Sequence, residues 1–135
     1  VPTLFTRILR GELPASFVWR DELSAAFLTI NPIRPGHTLV VPVEEVDHWL
    51  DCPELLRNHL FGVAQTIGTA LQAVYRPVRV GLMIAGLEVP HLHLHLVPVR
   101  SLADLDFARA VPADRQTLDA EASRIRVELE RRRAG

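Results

Sequence analysis

Residues 86–99 read GLEVPHLHLHLVPV, so that His91, His93 and His95 alternate with Leu92, Leu94 and Leu96. Successive side chains of an extended strand point to opposite faces. The three imidazoles are therefore expected on one face, with the three leucines entering the core on the other. An ordinary buried strand carries valine or isoleucine, and an ordinary exposed one mixes threonine, lysine and glutamate. Repeating one titratable residue on one face calls for a chemical explanation. Three neighbouring imidazoles cannot all be charged cheaply, so each needs a settled tautomer and partner. Such an arrangement suits proton transfer, phosphate binding or metal ligation.

The flanking sequence sets the scaffold. Leu4, Phe5, Ile8 and Leu9 recur with helical spacing and Gly11 and Pro14 follow, which predicts a short helix over residues 3–10. SFVW (16–19) and AAFLTI (25–30) read as strands joined by the polar RDELS (20–24), and NPIRPGH (31–37) reads as a turn delivering HTLVVP (37–42), a strand beginning at His37. Asp51 and Glu54 have the spacing of a capping box ahead of Leu56, Leu60, Val63, Ile67, Leu71 and Val74. This is the main helix, expected to run to about Tyr75 before Pro77 stops it. VRVGLMI (78–84) is a strand, AGLEVP (85–90) a connection and HLHLHLV (91–97) the next strand, while Leu118, Ala122, Ile125 and Leu129 mark a C-terminal helix. The pattern predicts one α+β domain over residues 1–135. It has a five-stranded antiparallel sheet, one long helix, a short N-terminal helix and a C-terminal helix.

Composition narrows the partners. The 135 residues carry 15 Lys and Arg against 16 Asp and Glu, with 48% hydrophobic residues, so nothing favours a long nucleic acid or an anionic membrane. A nucleic-acid-like ligand is expected to be small. One cysteine, Cys52, rules out an internal disulfide and a multi-cysteine zinc cluster; its place near a helix start is where a thiol pKa can be lowered. Arg7 and Arg10 interrupt the only apolar run near the start, and no window approaches the length of a membrane span, so cytoplasmic residence is the expectation. Neither glycine-rich phosphate loop is present.

HLHLHLV has the pattern His-φ-His-φ-His-φ-φ, where φ is apolar, and resembles the signature of the histidine-triad (HIT) superfamily. NPIRPGHTLVVP, GLEVPHLHLH and LFTRILRGELP are similar to the family's proline-rich turn with its histidine strand, its triad approach and its N-terminal helix. The resemblance implies hydrolysis or transfer at the α-phosphate of a purine nucleotide derivative, a phosphoramidate, ester or anhydride, through a covalent nucleotidyl-histidine. By position His93 is the nucleophile, His95 binds the α-phosphate and helps protonate the leaving group, and His91 and His37 support the site. A backbone carbonyl accepting the Nδ1 proton of His93 would leave its Nε2 lone pair free. Leu4, Phe5, Ile8, Phe27 and Ile30 fall where the family builds its nucleobase pocket, although ordinary core is the competing reading for each. Gly86 and Glu88 lie on the connection that passes the reacting phosphate, where backbone N–H groups can face developing charge.

Thr29 stands where many members carry an aspartate that holds both ribose hydroxyls, and the loop MIAGLE (83–88) is short. These departures keep a nucleotide-binding module with vestigial catalysis as one alternative. A zinc site built on the strand histidines, with His37 and Glu88, is another. The family implies a homodimer, with the long helix and a strand at the interface; no cofactor is expected, since four imidazoles suffice as nucleophile, acid and electrostatic clamp. His48 and His59 are expected to have surface or helix-packing roles, and Trp19 and Trp49 to be packing residues. Arg131, Arg132 and Arg133 are expected to complement the end of a helix.

Overall fold

The computed structural model describes residues 1–135. Its helices are α1 (Leu4–Leu9), α2 (Glu54–Tyr75) and α3 (Arg115–Ala134), and its strands are β1 (Phe17–Arg20), β2 (Ser24–Leu28), β3 (Thr38–Pro42), β4 (Arg79–Met83) and β5 (Leu94–Val99). The five strands form one sheet in the order β1-β2-β3-β5-β4 with every neighbouring pair antiparallel. This is the expected α+β architecture. The chain places β5 between β3 and β4, at an interior position of the sheet.

Alternation sorts the two faces. Val18, Ala26, Leu28, Val40, Leu94 and Leu96 point to one side, where α2 supplies Leu60, Val63, Ile67 and Leu71 and α3 supplies Leu118, Ala122, Ile125 and Leu129. The leucines of the alternating segment, Leu92 included, are thus core residues. On the opposite face α1 lays Phe5, Ile8 and Leu9 over Ala25, Phe27, Leu39 and Val41. Farther along that face, Ile33 packs on Val97 and Val99. Leu39 pairs with His95 across β3 and β5. The histidines consequently occupy the part of this face between the two smaller clusters.

Local boundaries differ from the pattern reading in ways hydrogen bonding explains. β5 begins at Leu94, because the Leu92 N–H donates to the Val46 carbonyl and the His91 N–H to the Val89 carbonyl, outside the ladder. β3 begins at Thr38, since the His37 N–H closes a turn on the Arg34 carbonyl. Asp51 does not cap α2. It ends a 3-10 turn, Trp49–Asp51, and Pro53 takes the N-cap position without a side-chain bond. Trp49 is half-exposed instead of packed. Burial first, then the Glu44 charge, pushes the Cys52 thiol up, the reverse of what its place near a helix start suggests.

The β1–β2 hairpin is tied to α2 through Asp21. Its Oδ1 accepts from the Leu23 and Ser24 amides, and its Oδ2 accepts from Trp19 Nε1 at 2.7 Å, Ser24 Oγ at 3.0 Å and His59 Nε2 at 2.9 Å. Burial acts to raise this carboxyl, but the bonds from Trp19, Leu23, His59 and Ser24 outweigh it and hold the pKa at about 2, below the ordinary 3.8. A depressed carboxyl stabilises the fold above its unfolded pKa and loses that contribution as pH falls through the folded one. Urea denaturation from about pH 5 down to about pH 2 is therefore expected to show wild-type stability falling more steeply than that of Asp21→Asn. Parallel decline of the two proteins would assign the acid sensitivity elsewhere.

Candidate active site

The site begins with the turn ahead of β3. Gly36 has φ +89°, and a Cβ there would lie 2.5 Å from the Tyr75 ring, so glycine is needed for both the turn and the close approach. Tyr75, at the end of α2, donates its hydroxyl to Glu121 Oε1 of α3 at 2.7 Å, and the Arg124 guanidinium lies 5.4 Å from its ring centre. Two helices thereby brace the residue preceding His37.

His37, His91, His93 and His95 are all buried, at 2%, 0%, 7% and 8% exposure. Their hydrogen bonds assign the tautomers. The Ile33 N–H donates to His37 Nδ1 at 3.1 Å, so the neutral ring carries its proton on Nε2. That proton faces His95 Nδ1 at 2.9 Å, which must accept, leaving the His95 proton on Nε2. His93 Nδ1–H donates to the His91 carbonyl at 2.7 Å, and its Nε2 is left as a bare lone pair. His91 Nε2–H donates to the Pro42 carbonyl at 2.8 Å, and its Nδ1 accepts from the Thr3 hydroxyl at 2.6 Å.

Electrostatics agree with these neutral tautomers. Burial, with the His93 charge behind it, pushes His37 down to about 4. Burial and then repulsion from His93 and His37 push His95 down to about 3. Burial also lowers His93, partly opposed by its bond to the His91 carbonyl and by the Glu88 charge. At neutral pH the cluster offers one lone pair, on His93, beside one N–H donor, on His95. Such a pair can attack an electrophilic centre and stabilise or protonate what departs.

Most of the expected residues converge, and some do not. Phe5 packs edge-on against His93 and His91, with ring centres 4.9 Å and 5.5 Å away, and against Phe27 at 5.7 Å. Ile8 belongs to the same cluster. Leu4 and Ile30 are 45% and 57% exposed, outside that packed group. The Thr29 hydroxyl accepts from the Asn31 N–H at 3.2 Å. Gly86, with φ +73°, and Glu88 lie on the exposed connection before the histidines.

Sequence reasoning missed four side chains. Thr3 N-caps α1 by accepting from the Thr6 N–H at 3.1 Å while facing His91, and the Glu45 carboxylate accepts from the Thr3 N–H at 2.8 Å and the Thr6 hydroxyl at 2.6 Å. Phe107 stands against His95 with ring centres 4.9 Å apart. A threonine just before an apolar helix was a readable cap signal; Glu45, 42 positions away from Thr3, gave none.

The HIT domain family model matches residues 10–102. An uncharacterised HIT-like protein of Methanocaldococcus jannaschii is 38% identical over 99 residues, which cover 70% of this chain and 77% of that one. The adenosine 5′-monophosphoramidase of Saccharomyces cerevisiae is 30% identical over 98 residues, covering 72% of this chain and 62% of that protein. Among solved structures, a zinc-bound histidine triad family protein of Mycobacterium smegmatis superposes with a TM-score of 0.83 at 26% identity, covering 97% of this chain and 95% of that one. In the present chain no three His, Cys, Asp or Glu side chains are grouped to hold a metal ion. Both His91 nitrogens are engaged by Thr3 and Pro42, and one nitrogen each of His37 and His95 faces the other ring.

The Thr3 network yields a prediction. Thr3→Val keeps the shape but removes a helix cap and the donor to His91, and is expected to lower unfolding free energy by about 1–2 kcal/mol in denaturant titrations. A change within about 0.5 kcal/mol, the size of ordinary surface substitutions, would show that the network is incidental.

Proposed function

The chain belongs to the HIT-domain family, and from that premise we propose that it hydrolyses or transfers a nucleotidyl group at the α-phosphate of a purine nucleotide derivative through a covalent adduct on His93. The observation that carries the reading is the His93 Nδ1–H bond to the His91 carbonyl, 2.7 Å, which leaves Nε2 unprotonated and aimed away from the backbone. The phosphoramidase relative supplies the reaction class.

In the first step His93 Nε2 forms a bond to phosphorus as the bond from phosphorus to the leaving nitrogen or oxygen breaks. His95 Nε2–H meets the departing atom. His93 and His95 rest neutral, so the proton that the leaving group takes away enters from solvent with the anionic substrate, whose charge offsets the burial that keeps His95 uncharged. Water then attacks phosphorus, the bond to His93 breaks, and the nucleoside monophosphate is released. Overall, the hydroxyl of water ends on phosphorus and its hydrogen on the leaving group. His37 holds the His95 tautomer, and in this reading Gly86 and Glu88 face the phosphate.

Phe5, Ile8 and Phe27 are proposed to back the nucleobase, with Leu4 and Ile30 at its rim and Thr29 beside the ribose. The reaction needs no metal or other cofactor in this reading. A homodimer is proposed as well: β4 is an open sheet edge bearing the exposed Leu82, Ile84 is exposed just after it, and α2 exposes Leu55 and Phe61. No helix is long and apolar enough to cross a membrane, and cytoplasmic residence is proposed alongside.

Acid-free quenching during turnover of an adenosine phosphoramidate, followed by peptide mass spectrometry, is expected to find an adenylyl increment on His93 and none in His93→Ala. That variant should lose turnover by at least about a thousandfold while binding adenosine monophosphate within about threefold, because a nucleophile acts chiefly in the transition state. An adduct on another histidine, or activity retained in His93→Ala, would overturn the mechanism. Full activity after exhaustive chelation is expected, and a loss that zinc restores would favour the metal reading.

Thr29 can accept and donate but cannot span two hydroxyls as a carboxylate can. Weak discrimination between ribo and 2′-deoxy substrates is expected, and Thr29→Asp should sharpen it by about 1 kcal/mol in kcat/KM ratio. Strong ribose preference in the wild type, unmoved by the substitution, would place the sugar elsewhere.

A further inference from the structure

Beyond residue 102, where the family match ends, the chain crosses back over the histidine face before entering α3. Both ends of this crossing are fastened. The Arg100 N–H donates to Asp104 Oδ2 at 2.9 Å and Leu105 packs on the Ile33, Val97 and Val99 cluster. At the other end the Val111 and Ala113 amides donate to the Pro32 and Ile30 carbonyls at 3.1 Å and 3.0 Å. Between them a 3-10 turn, Phe107–Arg109, is capped by Asp106, which accepts from the Ala108 N–H at 2.9 Å. Phe107 is therefore held in place, edge-on to His95 at 4.9 Å, 6.5 Å from the His37 ring and still 40% exposed.

The rings Phe5, His93, His95 and Phe107 succeed one another at 4.9, 4.8 and 4.9 Å between centres. Phe5 stands at the nucleophile's end of this row and Phe107 at the donor's end. On the reading above, the atom that His95 Nε2–H meets belongs to the leaving group, and Phe107 is the ring that flanks His95 on the side of the row away from Phe5. The cation of the same turn, Arg109, is paired: it reaches Asp104 Oδ1 at 3.5 Å. A leaving group bearing further phosphates would find an aromatic edge in this place; an apolar one would find a partner.

Resting on the nucleotidyl-transfer reading above, we propose that Phe107 is the wall of the leaving-group subsite and a specificity-determining residue. The preferred substrates are then nucleoside 5′-phosphoramidates or esters whose leaving group has an aliphatic or aromatic body.

The test compares two adenosine 5′-phosphoramidates on the full chain, one releasing ammonia and one releasing benzylamine, amines of similar basicity. Wild type is expected to favour the benzylamine substrate by about tenfold in kcat/KM, the scale of apolar contact in a pocket, and Phe107→Ala to erase that ratio. Phe107→Leu, which keeps apolar volume, should retain part of it, and far-UV circular dichroism checks that each variant is folded. A wild-type ratio near one, or a ratio that Phe107→Ala leaves unchanged even if both rates fall, would overturn the proposal. Failure of the underlying reading looks different: neither substrate releases adenosine monophosphate and His93 carries no adduct, and the proposal then falls with it.

Discussion

The His93 Nδ1–H bond to the His91 carbonyl fixes what every other group in the site can be. It fills one nitrogen of a buried ring and thereby decides that the other is a lone pair. Charging the ring would destroy that lone pair, and burial is the main force lowering the His93 pKa. The carbonyl in question is itself held still, because the His91 ring is tied at one nitrogen to the Pro42 carbonyl and at the other to Thr3. Thr3, in turn, caps α1 and is clamped by Glu45. The nucleophile's geometry thus rests on a chain of hydrogen bonds that runs to the first helix of the protein.

Gathering four imidazoles in one water-poor place invites repulsion, and no carboxylate bonds to any of them to relieve it. The fold resolves this with neutral tautomers whose donors and acceptors alternate: the Ile33 amide to His37, then His37 to His95. The interior position of β5 gives His95 a fixed neighbour in Leu39 and a core of leucines beneath. On the other side of the pair, the turn carrying His37 is pressed against Tyr75, which joins α2 to α3 through Glu121. The large apolar layer behind the sheet therefore holds the chemistry in front of it, at a distance of one side chain.

Alternation of histidine and leucine disclosed both the strand and its two faces, and helical spacing disclosed α2 and α3, because burial of one face imposes those periods on sequence. The three alternating histidines were legible for the same reason, whereas His37 and Phe5 were assigned to the site through resemblance to the HIT family. Asp51 misled because a residue three before a glutamate caps a helix only if the chain turns there, and Pro53 moves that start. Glu45 and Phe107 were illegible because each arrives by tertiary folding alone, Glu45 onto Thr3 from the segment after β3 and Phe107 onto His95 from the crossing before α3. Local pattern carries no information about which distant segment will return to a given face.

Nitrogen-15 NMR of the histidine rings at neutral pH reads the tautomers directly, without substrate or mutation. The account predicts that His93 is neutral with its proton on Nδ1, and that His37 and His95 are neutral with theirs on Nε2. A His93 ring that is cationic at neutral pH, or neutral with its proton on Nε2, would contradict the claim that this fold prepares a free nucleophilic nitrogen.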